Sequence, residues 1–127
     1  LSVDSILGRR VLLVEDESLV AMLIEEALID AGAIMIGPFA AVAPALAAIA
    51  AEPPELAILD LNLAGESSVP VADDLVARGV PIIFASGYGA AGLPPRYRTR
   101  PMLAKPFDPA ELILTLMRLS EGLPRLG

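Results

Sequence analysis

At 127 residues and 13.2 kDa, with a net charge of −7 and a sequence pI near 4.4, the chain fits one domain with room for a core and lacks the basic surface of a nucleic-acid binder. The same acidity should keep it off anionic membranes. It has no cysteine and no histidine, which excludes disulfides, thiol catalysis, thiolate or imidazole metal sites, Ser-His hydrolysis and a histidine phosphoryl carrier, so any histidine chemistry belongs to a partner.

Strand-like and helix-like segments alternate along the chain, which favours a parallel sheet covered on both faces. Arg10 to Val14 is predicted as the first strand and runs into Glu15 and Asp16. Glu17 or Ser18 is placed to cap a helix whose Val20, Leu23, Ile24, Ala27, Leu28 and Ala31 share one face before Gly32 stops it. Ile34 to Gly37 reads as the second strand, and Val42 to Ala51 as a weakly amphipathic helix with Leu46 and Ile49 facing inward. The uncharged stretch from Ala31 to Ala51 approaches the length of a membrane span. Gly32, Gly37, Pro38 and Pro44 cut it into shorter pieces, so it reads as soluble.

Leu56-Ala57-Ile58-Leu59 is a buried-strand pattern that ends on a carboxylate, Asp60. After a loop containing Gly65, Pro70 suits a first helical position and Gly79 a carboxyl-terminal cap, which predicts a helix from about Pro70 to Arg78. Pro81 to Ala85 is the fourth strand and leads to Ser86. Gly87 to Arg100 holds three glycines and two adjacent prolines, so a loop or one short turn is expected where a fourth helix would lie. Pro101 to Ala104 supplies the fifth strand, ahead of Lys105. Asp108-Pro109-Ala110-Glu111 then opens a last helix with Leu112, Ile113, Leu116 and Leu119 on one face.

Open α/β sheets bind ligands at the carboxyl ends of their strands, and there Glu15, Asp16, Asp60, Ser86 and Lys105 converge. Carboxylates without histidine or cysteine suit a hard cation such as Mg²⁺, which takes one or two carboxylates, waters and a substrate phosphate. A lysine and a hydroxyl opposite the metal can hold phosphoryl oxygens, and a central carboxylate can attack phosphorus in line. Gly87-Tyr88-Gly89-Ala90-Ala91-Gly92 matches a dinucleotide-binding pattern, but Leu93-Pro94-Pro95 breaks the helix that pattern requires.

The acidic pair Glu15-Asp16, Asp60, Ser86 and Lys105-Pro106, in this order after strands one, three, four and five, resemble the receiver domain of two-component response regulators over nearly the whole chain. That resemblance implies a flavodoxin-like (βα)5 fold, a doubly wound five-stranded parallel sheet of order 2-1-3-4-5, with the fourth helix short or absent. It implies Asp60 as phosphoacceptor, Asp16 as a direct Mg²⁺ ligand, Glu15 as a ligand through water, and Asn62 as donor of its backbone carbonyl. Ser86 and Lys105 would bind the phosphoryl oxygens. Phe84-Ala85-Ser86-Gly87-Tyr88-Gly89 with Lys105-Pro106-Phe107 is similar to the FAT GUY subclass, with serine for the usual threonine. Relatives carry an aromatic switch residue three positions before the lysine. Here that position is Met102, and the segment Gly87 to Pro95 is expected to take over the switch.

The expected protein is therefore a single receiver domain over residues 1–127 without an output domain. It would take a phosphoryl group from a histidine kinase, by resemblance of the HWE type, or from a phosphotransfer protein, and would catalyse its own modification without turning over an outside substrate. It would act through a downstream protein or as a phosphate sink, in the cytoplasm, without nucleic acid or membrane, and the resemblance allows a homodimer through the fifth strand and last helix. Two alternatives are a Mg²⁺-dependent phosphohydrolase with an aspartyl-phosphate intermediate and a degenerate receiver that only binds partners. The first places D-x-D after its first strand, whereas Asp60-Leu61-Asn62 follows the third.

Overall fold

The computed structural model describes residues 3–89 and 91–124. A 3-10 turn, Val3–Ile6, leads into β1 (Arg10–Val14), α1 (Ser18–Asp30), β2 (Ile34–Phe39), α2 (Val42–Ala51) and β3 (Leu56–Asp60). A hairpin, β4 (Asn62–Leu63) with β5 (Glu66–Ser67), precedes α3 (Val69–Ala77), β6 (Ile82–Ser86), a 3-10 turn Pro95–Tyr97, β7 (Met102–Ala104) and α4 (Pro109–Ser120). The main sheet is parallel with order β2-β1-β3-β6-β7, which is 2-1-3-4-5 once the hairpin strands are set aside. The fold is the flavodoxin-like one expected, and among the described residues only the 3-10 turn Pro95–Tyr97 stands between β6 and β7.

Alternation along the strands divides the core between the two sheet faces. Leu12, Val14, Ala57, Leu59, Ile82 and Phe84 pack against Val42, Ala45 and Ile49 of α2 and Val71, Ala72 and Leu75 of α3. Val11, Leu13, Leu56, Ile58 and Ile83 pack against Ala21, Ile24 and Leu28 of α1 and Leu112, Leu116 and Met117 of α4. Each fully buried Leu, Ile or Phe contributes about 1.5–3 kcal/mol relative to exposure. The same alternation aims Asp60, the last residue of β3, and, one residue past the ends of β1 and β7, Glu15 and Lys105 to the α1/α4 side.

Several local features differ from the sequence expectation. The inward face of α1 is Ala21, Ile24 and Leu28, which pack on the sheet and α4, and Leu23 is 54% exposed, off the stripe its many apolar residues suggest. Leu46, Ile113 and Leu119 are half-buried at the margins of their faces. The second strand runs on to Phe39, through a bulge that shifts the register between Leu12 and Val14. Pro38, which has no N–H for a ladder, is tolerated at this bulge on the sheet edge. Gly37 sits there at φ +109°, where a Cβ would meet the Leu13 carbonyl oxygen at 2.7 Å. The loop around Gly65 is a tight hairpin whose two central residues, Ala64 and Gly65, both have positive φ, as in a type I′ turn.

The hairpin also completes α2. That helix has Ala41 at its N-cap and no side-chain cap of its own, and Glu66 supplies the acceptor, taking a hydrogen bond from the Val42 N–H at 3.0 Å. At the opposite end of the sheet, buried Arg9 pairs with Glu55 at 2.6 Å and donates to the Pro124 carbonyl. No helix among the described residues is long and apolar enough to cross a membrane.

Candidate functional site

The carboxyl ends of β1, β3, β6 and β7 open into a cavity of about 580 Å³. Asp16, Asp60, Asn62, Ser86 and Lys105 line it, together with Glu17, Tyr88 and an apolar wall from Val20, Leu23, Ile24 and Phe107. Every site position named from the sequence is thus at one sheet edge, with Glu15 buried just behind it at 3% exposure.

Lys105 is the hub. Its Nζ lies 2.7 Å from Glu15 Oε1, 3.1 Å from Asp60 Oδ2 and 3.2 Å from Glu17 Oε1. The Lys105–Pro106 peptide is cis. Asp60 is 5% exposed, and its Oδ1 accepts the Asn62 N–H at 3.3 Å. The Asn62 side chain is held in the hairpin, accepting from the Gly65 N–H at 2.7 Å, so it is not directed to the cluster. Ser86, the last residue of β6, is 4% exposed and its Oγ accepts the Tyr88 N–H at 3.0 Å. Tyr88 itself is 78% exposed at the cavity mouth.

Carboxylate oxygens of Glu15, Asp16 and Asp60 all lie within 4.8 Å of one another. Burial pushes the Glu15 carboxyl up to about 7, against the opposing pull of Lys105 and with a further rise from the Asp60 charge. Asp16 is raised too, first by partial burial and then by Asp60. Burial works against the Lys105 charge, but the carboxylates of Glu15 and Asp60 prevail and raise its pKa. Three crowded acids facing one ammonium form an electron-rich set of hard oxygen donors, which fits a divalent cation such as Mg²⁺.

Two relationships were not read from the sequence. Glu17 sits at the N-cap of α1 yet makes no side-chain cap bond, and reaches Lys105 instead. Tyr97, 3% exposed, packs against Phe84 with ring centroids 5.7 Å apart and ring planes tilted by 38°, and donates its hydroxyl to Asp73 of α3. Glu17 had a signal in its place beside the acidic pair. Tyr97 had none, since nothing in its local sequence points to α3.

Residues 11–117 match the response regulator receiver domain family. Among solved structures, the chain is similar to SdrG from Sphingomonas melonis Fr1 in solution, with 38% identity, 94% of this chain and 98% of that one covered, and a TM-score of 0.77. It is likewise similar to the receiver domain of the PhyR response regulator from Erythrobacter litoralis, at 28% identity, 95% and 98% coverage, and a TM-score of 0.80. A third similar structure is the BeF3-activated conformation of SdrG from Pseudomonas melonis Fr1, at 38% identity, 85% and 95% coverage, and a TM-score of 0.71. No curated protein matches the chain. Strand order, the acidic cluster beside Asp60 and Lys105, and the match across most of the sequence agree: the chain belongs to the response regulator receiver domain family.

Proposed function

We propose that this receiver accepts a phosphoryl group on Asp60 from a phosphohistidine of a partner kinase or phosphotransfer protein. The observation that carries this reading is the contact of Lys105 Nζ with Asp60 Oδ2 at 3.1 Å beside the carboxylates of Glu15 and Asp16. The donor histidine would lie outside these 127 residues, which contain none. The FAT GUY-like segments Phe84 to Gly89 and Lys105 to Phe107 favour a donor of the HWE kinase type.

An Asp60 carboxylate oxygen attacks phosphorus as the donor's P–N bond breaks, and the electron pair leaves on the partner's imidazole nitrogen. Asp16 and Asp60, Glu15 through water, and the Asn62 backbone carbonyl would hold Mg²⁺. Bound there, it would neutralise charge on the phosphoryl oxygens. Lys105, just after β7 and held beside Asp60 and Glu15, provides a point charge for one phosphoryl oxygen, and the hydroxyl of Ser86 at the end of β6 a hydrogen bond for another. Leu19, Met22 and Leu23 on α1 are exposed at 75%, 57% and 54%, with Leu23 in the cavity wall, and form an apolar surface on which the donor docks.

Output runs through protein contacts of the phosphorylated domain, or through drainage of phosphoryl groups from a relay. The test is intact mass after incubation with acetyl phosphate and Mg²⁺. One added phosphoryl group on the wild type and none on Asp60→Asn is expected. Turnover of simple phosphate monoesters that depends on Asp60 would point to a phosphohydrolase, and no modification from acetyl phosphate or any kinase would point to a binding module.

A further inference from the structure

We propose that the apolar wall of the cavity is a subsite for the alkyl tail of a small acyl phosphate, so that Asp60 takes phosphoryl groups from longer aliphatic acyl phosphates in preference to acetyl phosphate. This deepens the proposed role of Asp60 and rests on it.

The lining of the cavity goes beyond what phosphoryl transfer uses. Asp16, Asp60, Ser86 and Lys105 carry the polar work, yet Val20, Leu23 and Ile24 of α1 and Pro106, Phe107 and Pro109 of the chain that opens α4 line the same space. None of these six side chains can hold a cation or a phosphoryl oxygen. At about 580 Å³ the cavity falls within the roughly 300–1,000 Å³ of small-molecule pockets, which combine an apolar wall with a few convergent polar groups.

The wall lies where a leaving group must go. In-line displacement puts the leaving group on the side of phosphorus away from the nucleophile. Asp60 is 5% exposed at the strand ends, so that side faces the cavity mouth. Along α1 the wall grades the same way, from Ile24 at 2% exposure to Leu23 at 54%. Leu19 and Met22, which carry the outer face of α1, do not line the cavity. The recessed wall, with Val20 and Phe107 half-buried in it, fits a slim chain, whereas the outer face fits a protein surface.

The chemical class follows from the product. Phosphorylated Asp60 is itself an acyl phosphate, so transfer from another acyl phosphate exchanges one carboxyl–phosphoryl bond for another. An Asp60 oxygen forms its bond to phosphorus as the P–O bond to the donor's acyl group breaks, and the electron pair leaves on the donor's carboxylate. That carboxylate departs without a proton, so the step needs no general acid.

The test compares second-order rate constants for modification by acetyl phosphate and butyryl phosphate at saturating Mg²⁺, read by intact mass. Both donors release an aliphatic carboxylate, so the tail is what differs. On the wild type butyryl phosphate is expected to react about five- to fifteenfold faster, the worth of two buried methylenes. Leu23→Asn, at a position exposed enough to accept a polar side chain, is expected to cut that ratio about threefold or more, and Leu23→Met to keep it. Phe107→Ala tests the wall from the other chain segment, and urea midpoints establish that each variant folds. A fall of the ratio in either Leu23→Asn or Phe107→Ala supports the subsite. A ratio near one on the wild type overturns the inference, leaves the role of Asp60 standing and assigns the wall to a side chain of a protein donor. A high ratio unchanged in both variants also overturns it, because the tail would then bind elsewhere. No modification of the wild type by either donor overturns the proposed role of Asp60 and this inference together.

Discussion

The hydroxyl of Tyr97 is donated to the carboxylate of Asp73, and this bond fastens the irregular segment between β6 and β7 to helix α3. Arg96 reinforces it from the same turn, with a contact of 2.8 Å to Asp73 and its guanidinium 4.8 Å from the centre of the Tyr97 ring. The ring itself packs on Phe84, two residues before Ser86. Tyr97 is an aromatic side chain that links the strand carrying Ser86 to this surface, and Met102 packs against the same cluster. The segment 87–95 proposed as the switch is anchored at Leu93, 4% exposed, and Ala90 within it lies outside the described residues.

Tyr97→Phe keeps the ring and removes the bond. Urea unfolding at pH 7 should show a loss of about 1 kcal/mol, below the roughly 1.5–3 kcal/mol of a hydrogen bond to a charged group because the Asp73 side chain is 49% exposed. The Tyr97 bond, then Arg96, holds the Asp73 carboxyl below its ordinary 3.8. A lowered acid contributes stability above its unfolded value and loses it as pH falls through the folded one. The gap between wild type and Tyr97→Phe should therefore close as pH falls well below 3.8. A gap that stays constant across this range would assign the effect to packing.

Glu15 gives the opposite sign. With its carboxyl near 7 in the folded domain against 4.5 for an ordinary glutamate, the folded state binds the extra proton between these values. Its contribution to stability is therefore greatest below pH 4.5 and falls as pH rises towards 7. In metal-free buffer, Glu15→Gln should remove that slope from urea midpoints. Metal ligands must be deprotonated, so Mg²⁺ binding near pH 6 should release a fraction of one proton. Calorimetry in two buffers of different ionisation enthalpy reads that release, and Glu15→Gln should abolish most of it.

Glu66 tests the hairpin. Its acceptance of the Val42 N–H at 3.0 Å is the cap that α2 lacks locally. Glu66→Ala is expected to cost about 1 kcal/mol in urea unfolding and to speed amide exchange in the first turn of α2. Glu66→Gln keeps the acceptor oxygen and should retain most of that stability. Equal losses in both variants would assign the effect to charge at the helix terminus instead.

The sequence by itself determined the five strands of the main sheet to within a few residues, their likeness to a receiver and the five groups at the carboxyl edge, but not the hairpin after Asp60. Short apolar runs punctuated by Asp60, Ser86 or Lys105 carry a local signal, since burial and alternation act over a few residues. It also marked the missing fourth helix, because three glycines and a Pro-Pro pair between Gly87 and Arg100 oppose regular structure within the segment itself. The inward face of α1 was not legible. Leu19, Val20, Met22, Leu23 and Ile24 offer overlapping apolar stripes, and only packing on the sheet and α4 selected Ala21, Ile24 and Leu28. Tertiary structure likewise decided that Glu17 would hold Lys105, that Glu66 would cap α2 and that Tyr97 would bond Asp73. These pairs are separated by 88, 24 and 24 residues, and sheet order, helix rotation and the hairpin set their distances, none of which a local pattern encodes.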